Sequence, residues 1–166
     1  EPTWEAFTKD WSKKRRRFIR RACDQMSEVG RYQMKPLHSA AWSDVESAWA
    51  ACLQVESCGW KGQQGSDLAS NKPAKVFYET LLRSLYQSGE LRFYSLELEG
   101  RLIAYDLGYL KQRVATSLKV SYHPDYTDYS PGHVLNRLVI QDLIEKEEAD
   151  WIDTVGELND ANSKWC

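Results

Sequence analysis

The sequence is poor in the residues that build metal centres and disulfide frameworks. Its 166 residues include four cysteines and three histidines, and the cysteines are too widely spaced for a metal motif or a dense set of disulfides. No apolar run is long enough to cross a membrane, and no signal peptide is visible. These absences predict a protein without a bound metal that works outside the membrane, in the reducing cytoplasm.

The sequence also lacks an excess of one charge. Its net charge is −2, which gives no overall attraction to nucleic acid, and its hydrophobic content of 42% suffices for one domain with a core. The cations are nevertheless crowded between Lys13 and Arg21. A basic amphipathic helix over residues 4–29, which leads into the domain, explains this run as a solvated face; a patch that meets phosphates or RNA is the alternative.

Hydrophobic periodicity predicts a helix, a strand, two helices, three antiparallel strands, a helix and a strand, in that order. Ser43 and Glu46 form a capping box for the second helix, and Pro73 sits at the start of the third. Glu99–Gly100 is typical of a hairpin turn. This order indicates an α/β (α+β) domain in which helices flank a mixed, mostly antiparallel sheet.

The third strand of the meander, residues 114–122, alternates in character. Ala115, Ser117, Lys119 and Ser121 share one small, polar face. That face either borders a ligand or is simply solvated.

A Ser130-Pro131-Gly132 turn follows this strand and opens the next helix. The first turn of that helix has no acidic side chain, so we expect the amides near Gly132, His133 and Val134 to be unpaired and to carry a partial positive charge. Such a helix start is suited to a phosphate or pyrophosphate. A plain helix start is the alternative interpretation.

The second helix ends its apolar stripe in Glu56, which is unusual for a buried face. The loop that follows contains Trp60 and Lys61 between glycines and therefore has tight backbone requirements. It is either a binding loop or a well-packed turn.

Together these motifs resemble the GNAT acyltransferases, and among them the CelD-like branch that is associated with cellulose biosynthesis and related to FemAB transferases. The resemblance covers nearly the whole chain. The matching positions are Lys119, Tyr122, Asp125, Ser130-Pro131-Gly132, the Trp60–Ser66 loop and Asp153.

The resemblance implies acetyl-CoA or another acyl-CoA as the cofactor. Its pyrophosphate is expected on the start of the last helix, and the acceptor near the glycine-rich loop and the last strand. The implied cofactor-binding residues are Ser130, Gly132, His133, Val134, Leu135 and Lys119, and the implied substrate-binding residues are Trp60, Lys61 and Asp153.

Three residues are candidates for proton transfer. Tyr122 is expected to protonate the leaving thiolate, on the pattern common in GNAT enzymes. Glu56 or Asp125 is expected to take the proton of the acceptor. The alternative for each of the two carboxylates is an ordinary surface or hydrogen-bonded side chain.

The implied reaction moves an acyl group to an amine or hydroxyl on a small molecule or a glycan, as in exopolysaccharide synthesis. An aminoacyl-tRNA-dependent transferase and a non-catalytic interaction module are the alternatives, and a homodimer stays open. Because the chain begins at Glu1 and members usually continue with closing strands, we expect one GNAT-like domain over residues 1–166, the C-terminal half of a longer chain.

Overall fold

The computed structural model describes residues 3–59 and 68–155. Their helices and strands follow the predicted order. The elements are α1 (Trp4–Phe7), α2 (Lys13–Val29), β1 (Tyr32–Pro36), α3 (Trp42–Ser57), α4 (Lys72–Ser88), β2 (Leu91–Leu98), β3 (Arg101–Lys111), β4 (Val114–Tyr122), α5 (Pro131–Glu145) and β5 (Trp151–Asp153), with 3₁₀ helices at Leu37–Ser39 and Pro124–Tyr129.

The strands form one sheet in the order β1-β2-β3-β4-β5. The first four strands pair antiparallel, and β5 pairs parallel with β4. The β2–β3 hairpin turns at Glu99 and Gly100, whose φ angles of 48° and 78° are both positive, as a type I′ turn requires. The sheet is therefore mixed and mostly antiparallel, as predicted.

Helices cover both faces of the sheet. On one face, α2 and α5 bury Met26, Val134 and Leu135 against β2 and β3. On the other face, α3 and α4 bury Trp49 and Leu82 against the same strands. No helix within the described residues is long and apolar enough to span a bilayer.

Two predicted helix boundaries are wrong. Residues 4–29 form two helices, because the Ser12 side chain accepts a hydrogen bond from the Arg15 amide at 3.2 Å and starts α2 afresh. The predicted capping box at Ser43 does not form, because α3 already begins at Trp42. The Glu46 carboxylate instead pairs with Arg83 of α4 at 3.2 Å.

The start and end of α4 follow the sequence signals. The Asn71 side chain accepts from the Ala74 amide at 3.1 Å, and Pro73 lies in the first turn. Gly89 ends the helix in the left-handed conformation, with φ 73°.

The predicted alternation of β4 breaks at a bulge. Leu107 of β3 pairs with Lys119, but its neighbour Gly108 pairs with Ser117, so Leu118 is an extra residue. Ser117 therefore faces the α5 side, where it bonds Asp106, whereas Lys119 faces the α3 side, where it bonds Glu56. The prediction that Ser117 and Lys119 share one face is wrong.

Gly108 permits this bulge. A Cβ atom there would collide with the Thr116 carbonyl oxygen and lie 3.2 Å from the Ser117 Cα atom. The two backbones approach so closely that only a residue without a side chain fits.

In the described ranges of the chain, only the first part of β4 pairs with β5. The parallel ladder with β5 covers Val114–Thr116, whereas β4 itself continues to Tyr122. The second half of β4 thus has an open edge within the described residues, and this edge leads to the start of α5.

We expect Gly108→Ala to lower the free energy of unfolding by about 1–3 kcal/mol, because the new methyl group must displace the β4 backbone. Gly132→Ala is the matched control. A Cβ at Gly132 would meet the Tyr122 ring at 3.7 Å, an ordinary contact. Urea unfolding of both variants checks this, and equal stability of the two would contradict the close approach.

Candidate active site

The start of α5 is an uncapped helix end. Ser130 precedes it in the left-handed conformation, with φ 52° and ψ 50°, and its side chain makes no capping bond. Pro131 has no N–H, and the first turn contains no acidic residue. Nothing in this turn therefore neutralises the positive end of the helix dipole.

The structure corrects the prediction that three amides of this turn are free. The His133 and Val134 amides donate to the Ser130 carbonyl at 3.0 and 3.2 Å. Among the described residues, the Gly132 amide has no acceptor, and it is the donor that this turn offers to an anion.

The side chains of the predicted cofactor residues have different surroundings. Val134 and Leu135 are fully buried, so they anchor α5 in the core and leave only their backbone for a ligand. The His133 ring lies edge-on to Phe18 of α2, with 5.0 Å between ring centroids. Tyr122 is 41% exposed and its ring flanks Gly132, so the structure brings Tyr122 to the predicted phosphate turn.

Glu56 and Lys119 form an ion pair on the opposite face of the sheet. The Lys119 Nζ atom lies 2.8 Å from the Glu56 Oε1 atom, and their side chains are 12% and 1% exposed. The same ammonium lies 5.3 Å from the centre of the Tyr78 ring. The pair thus connects α3 to β4 immediately after the bulge.

Burial and the Glu56 charge raise the pKa values of two groups near this pair. Burial raises the pKa of the Cys52 thiol well above its ordinary value, and Glu56 raises it further. Burial followed by the Glu56 charge also raises the pKa of Tyr105. Among the described residues, the buried Tyr105 hydroxyl has no hydrogen-bond partner.

Asp125 lies in the 3₁₀ helix between β4 and α5, and its side chain is 73% exposed. Its amide donates to the Nδ1 atom of the buried His123 at 3.3 Å. The His123 Nε2 atom in turn lies 3.1 Å from the Arg101 guanidinium. Asp125 is therefore an accessible carboxylate on a fixed loop, and its carboxyl oxygen lies 3.7 Å from His123 Nδ1.

The predicted substrate residues are only partly accounted for. Asp153 ends β5 opposite Thr116 of β4, and its Oδ1 atom accepts from the Val155 amide at 2.9 Å. Trp60 and Lys61 lie outside the described residues.

Sequence reasoning missed Asp106, which lies in the middle of β3. The Ser117 hydroxyl donates to the Asp106 Oδ1 atom at 2.7 Å. Burial raises the pKa of Asp106 to about 6, although the bond from Ser117 opposes the shift. A lone aspartate within the apolar run of this strand was the signal that could have identified it.

The chain belongs to the Acetyltransferase (GNAT) domain family, whose match extends over residues 13–162. This match confirms the expected class of enzyme, a GNAT-type acyltransferase. No curated protein matches the chain.

Solved structures share the fold at low identity. The PaiA N-acetyltransferase from Thermoplasma acidophilum, in complex with coenzyme A, is 18% identical with a TM-score of 0.57, over 81% of this chain and 86% of the other. The ribosomal-protein-S18-alanine N-acetyltransferase from Escherichia coli is 15% identical with a TM-score of 0.54, over 81% and 74%.

Some similar structures are much longer than this chain. The C-terminal domain of a putative lysylphosphatidylglycerol synthetase from Agrobacterium fabrum is 14% identical, with a TM-score of 0.54. The alignment covers 91% of this chain but only 45% of that one.

The raised pKa of Asp106 makes a pH-dependent prediction. Burial favours the protonated form of Asp106 in the folded state. The stability that protonated Asp106 contributes to the fold is therefore complete below the unfolded pKa of 3.8 and is lost as the pH rises through about 6. We expect Asp106→Asn, which keeps an acceptor for Ser117, to raise the free energy of unfolding above pH 7 by about 2–3 kcal/mol. Near pH 4 the gain should almost vanish.

Denaturant unfolding across this pH range measures the effect. Asp150→Asn is a control for which we expect the opposite effect on the free energy of unfolding. The exposed Arg113–Asp150 pair holds the pKa of Asp150 below its ordinary value. A gain for Asp106→Asn that does not depend on pH would contradict a titrating Asp106.

Proposed function

We propose that this domain transfers an acetyl group from acetyl-CoA to an amine or hydroxyl acceptor. The observation that carries the proposal is the uncapped, acid-free start of α5 at the end of the open β4 edge. A diphosphate is the ligand that such a helix start favours, and an open strand edge suits an extended amide-containing arm.

In this proposal the pyrophosphate accepts a hydrogen bond from the Gly132 amide and lies against the turn that Ser130 to Leu135 form. His133 and the Ser130 hydroxyl lie beside it as further donors. Lys119 was predicted to join this site, but it is held by Glu56 on the other face of the sheet. It would have to leave that carboxylate to contact a phosphate.

The thioester then lies along β4 near the bulge. Bulges leave backbone groups without a ladder partner, and an N–H at Leu118 or Lys119 would stabilise the oxyanion that develops during transfer. Tyr122, half-exposed at the end of the same strand, is the proposed acid toward the thiolate.

Two carboxylates remain as proposed general bases, and their surroundings differ. Asp125 is exposed, whereas Glu56 is buried against Lys119. Glu56 lies on the α3–α4 face, and Trp60 and Lys61 follow α3 in the sequence, so we propose that the acceptor binds on this face. Asp153 at the β5 end is proposed to line its entrance.

The finer assignment rests on the motifs of the CelD-like branch. It proposes a small-molecule or glycan-linked acceptor in exopolysaccharide or cellulose synthesis, a cytoplasmic location and, as an option, a homodimer. The chain is proposed to be the C-terminal half of its parent protein.

Titration of acetyl-CoA by calorimetry tests the donor site. We expect Gly132→Glu to weaken binding at least tenfold, because its carboxylate repels the pyrophosphate, and yet to stabilise the free protein slightly through the helix dipole. Gly132→Ala keeps the amide and adds no charge, so it should bind nearly as wild type.

Opposite effects of one substitution on folding and on binding distinguish a lost site from a lost fold. If neither this chain nor its longer parent binds acetyl-CoA, the donor assignment is wrong. The non-catalytic interaction module then becomes the better explanation.

The basic face of α2 favours a second candidate, an aminoacyl-tRNA-dependent transferase. Six cations on this helix are exposed, whereas its apolar face is buried on the sheet. Within the described residues, none of these cations takes part in a salt bridge to an acidic side chain. The exposed cations are Lys13, Lys14, Arg16, Arg17, Arg20 and Arg21.

This candidate predicts tRNA binding that weakens steeply with salt. Replacing Lys13, Lys14 and Arg17 by glutamine should lower the affinity at least tenfold and reduce the salt slope by about 2. The same replacement of Lys72, Lys75 and Arg83 on α4 is the matched control. Fluorescence anisotropy with labelled tRNA measures both, and equal losses would contradict a site on α2.

A further inference from the structure

Lys119 places a primary amine against a buried carboxylate, one residue beyond the β4 bulge. In a regular strand, Lys119 would face the α5 side together with Ser117. The extra residue Leu118 turns it to the α3 side instead, where its Nζ atom lies 2.8 Å from Glu56. The position of this amine therefore depends on the same bulge that the proposed reaction uses for the thioester.

The surroundings of this amine suit a nucleophile. Its side chain is only 12% exposed, so the amine is largely shielded from bulk solvent. The Glu56 Oε1 atom lies within hydrogen-bonding distance and is placed to take the proton. Glu56 and Lys119 thus have the geometry that an acyltransferase needs between its base and its acceptor amine.

An exposed pair on α4 shows what is special about Lys119. The Lys75 ammonium lies 3.8 Å from the Glu79 carboxylate, and both side chains are at least 40% exposed. This pair has the same chemistry, but it is solvated. Lys75 is therefore an internal reference for non-specific acylation.

We propose that Lys119 is a self-acetylation site of this domain. Glu56 accepts a proton from the Lys119 ammonium, and the freed Nζ atom attacks the thioester carbonyl of acetyl-CoA. A C–N bond forms, the C–S bond breaks, and the thiolate leaves and takes up a proton. The products are Nε-acetyl-Lys119 and free CoA.

Self-acetylation changes the charge at the acceptor face. The acetylated side chain is neutral, so it no longer holds Glu56 in an ion pair. The Glu56 Oε1 atom, which accepts from the Lys119 ammonium in the unacetylated protein, can then take the proton of an external acceptor. The modification therefore regulates the site, and this inference rests on the proposed use of acetyl-CoA.

The test is incubation with isotopically labelled acetyl-CoA, followed by peptide mass spectrometry over time. We expect Lys119 to be acetylated at least tenfold faster than Lys75. The rate per molecule should not depend on protein concentration, because the reaction is intramolecular. Lys119→Arg should abolish the fast phase without affecting Lys75.

Glu56→Gln should slow acetylation of Lys119 about 100-fold if the carboxylate is the base, again without affecting Lys75. Circular dichroism shows whether this variant folds. Glu56→Asp, which keeps the carboxylate one methylene further away, is a second variant with an intermediate expected rate.

Parallel calorimetry separates this inference from the proposed function. If acetyl-CoA binds but Lys119 is acetylated no faster than Lys75, self-acetylation is wrong and the donor site stands. If acetyl-CoA does not bind, the proposed donor is wrong, and a short acetyl thioester without phosphates tests Lys119 by itself. Faster, Glu56-dependent acetylation of Lys119 by that thioester supports the inference, and equal labelling of Lys75 overturns it.

Discussion

The close approach of two backbones at Gly108 is the constraint on which the candidate site depends. Since no side chain fits between Gly108 and Thr116, β4 takes an extra residue there and its alternation reverses. Ser117 then bonds Asp106 on one face, and Lys119 bonds Glu56 on the other. Both buried polar pairs of β4 follow from this one irregularity, at the place where β5 stops pairing with it.

The two polar pairs of β4 lower the stability of the fold. A buried ion pair such as Glu56–Lys119 rarely repays the desolvation of its charges, and apolar residues of similar size would often be more stable. Asp106 adds a carboxyl group whose ionised form is disfavoured by burial. Apolar clusters on both faces offset this cost. Polar groups that a core does not need, gathered at an open strand edge, are typical of a functional site.

The sequence predicted the elements of the fold well and their finer geometry poorly, for physical reasons. Caps such as Asn71 and turns such as Glu99–Gly100 act over a few residues, so the local sequence is enough to place them. The bulge in β4 depends on its register with β3, which no pattern within residues 114–122 contains. For the same reason the Glu56–Lys119 pair, 63 positions apart in sequence, could be proposed only as two separate candidates.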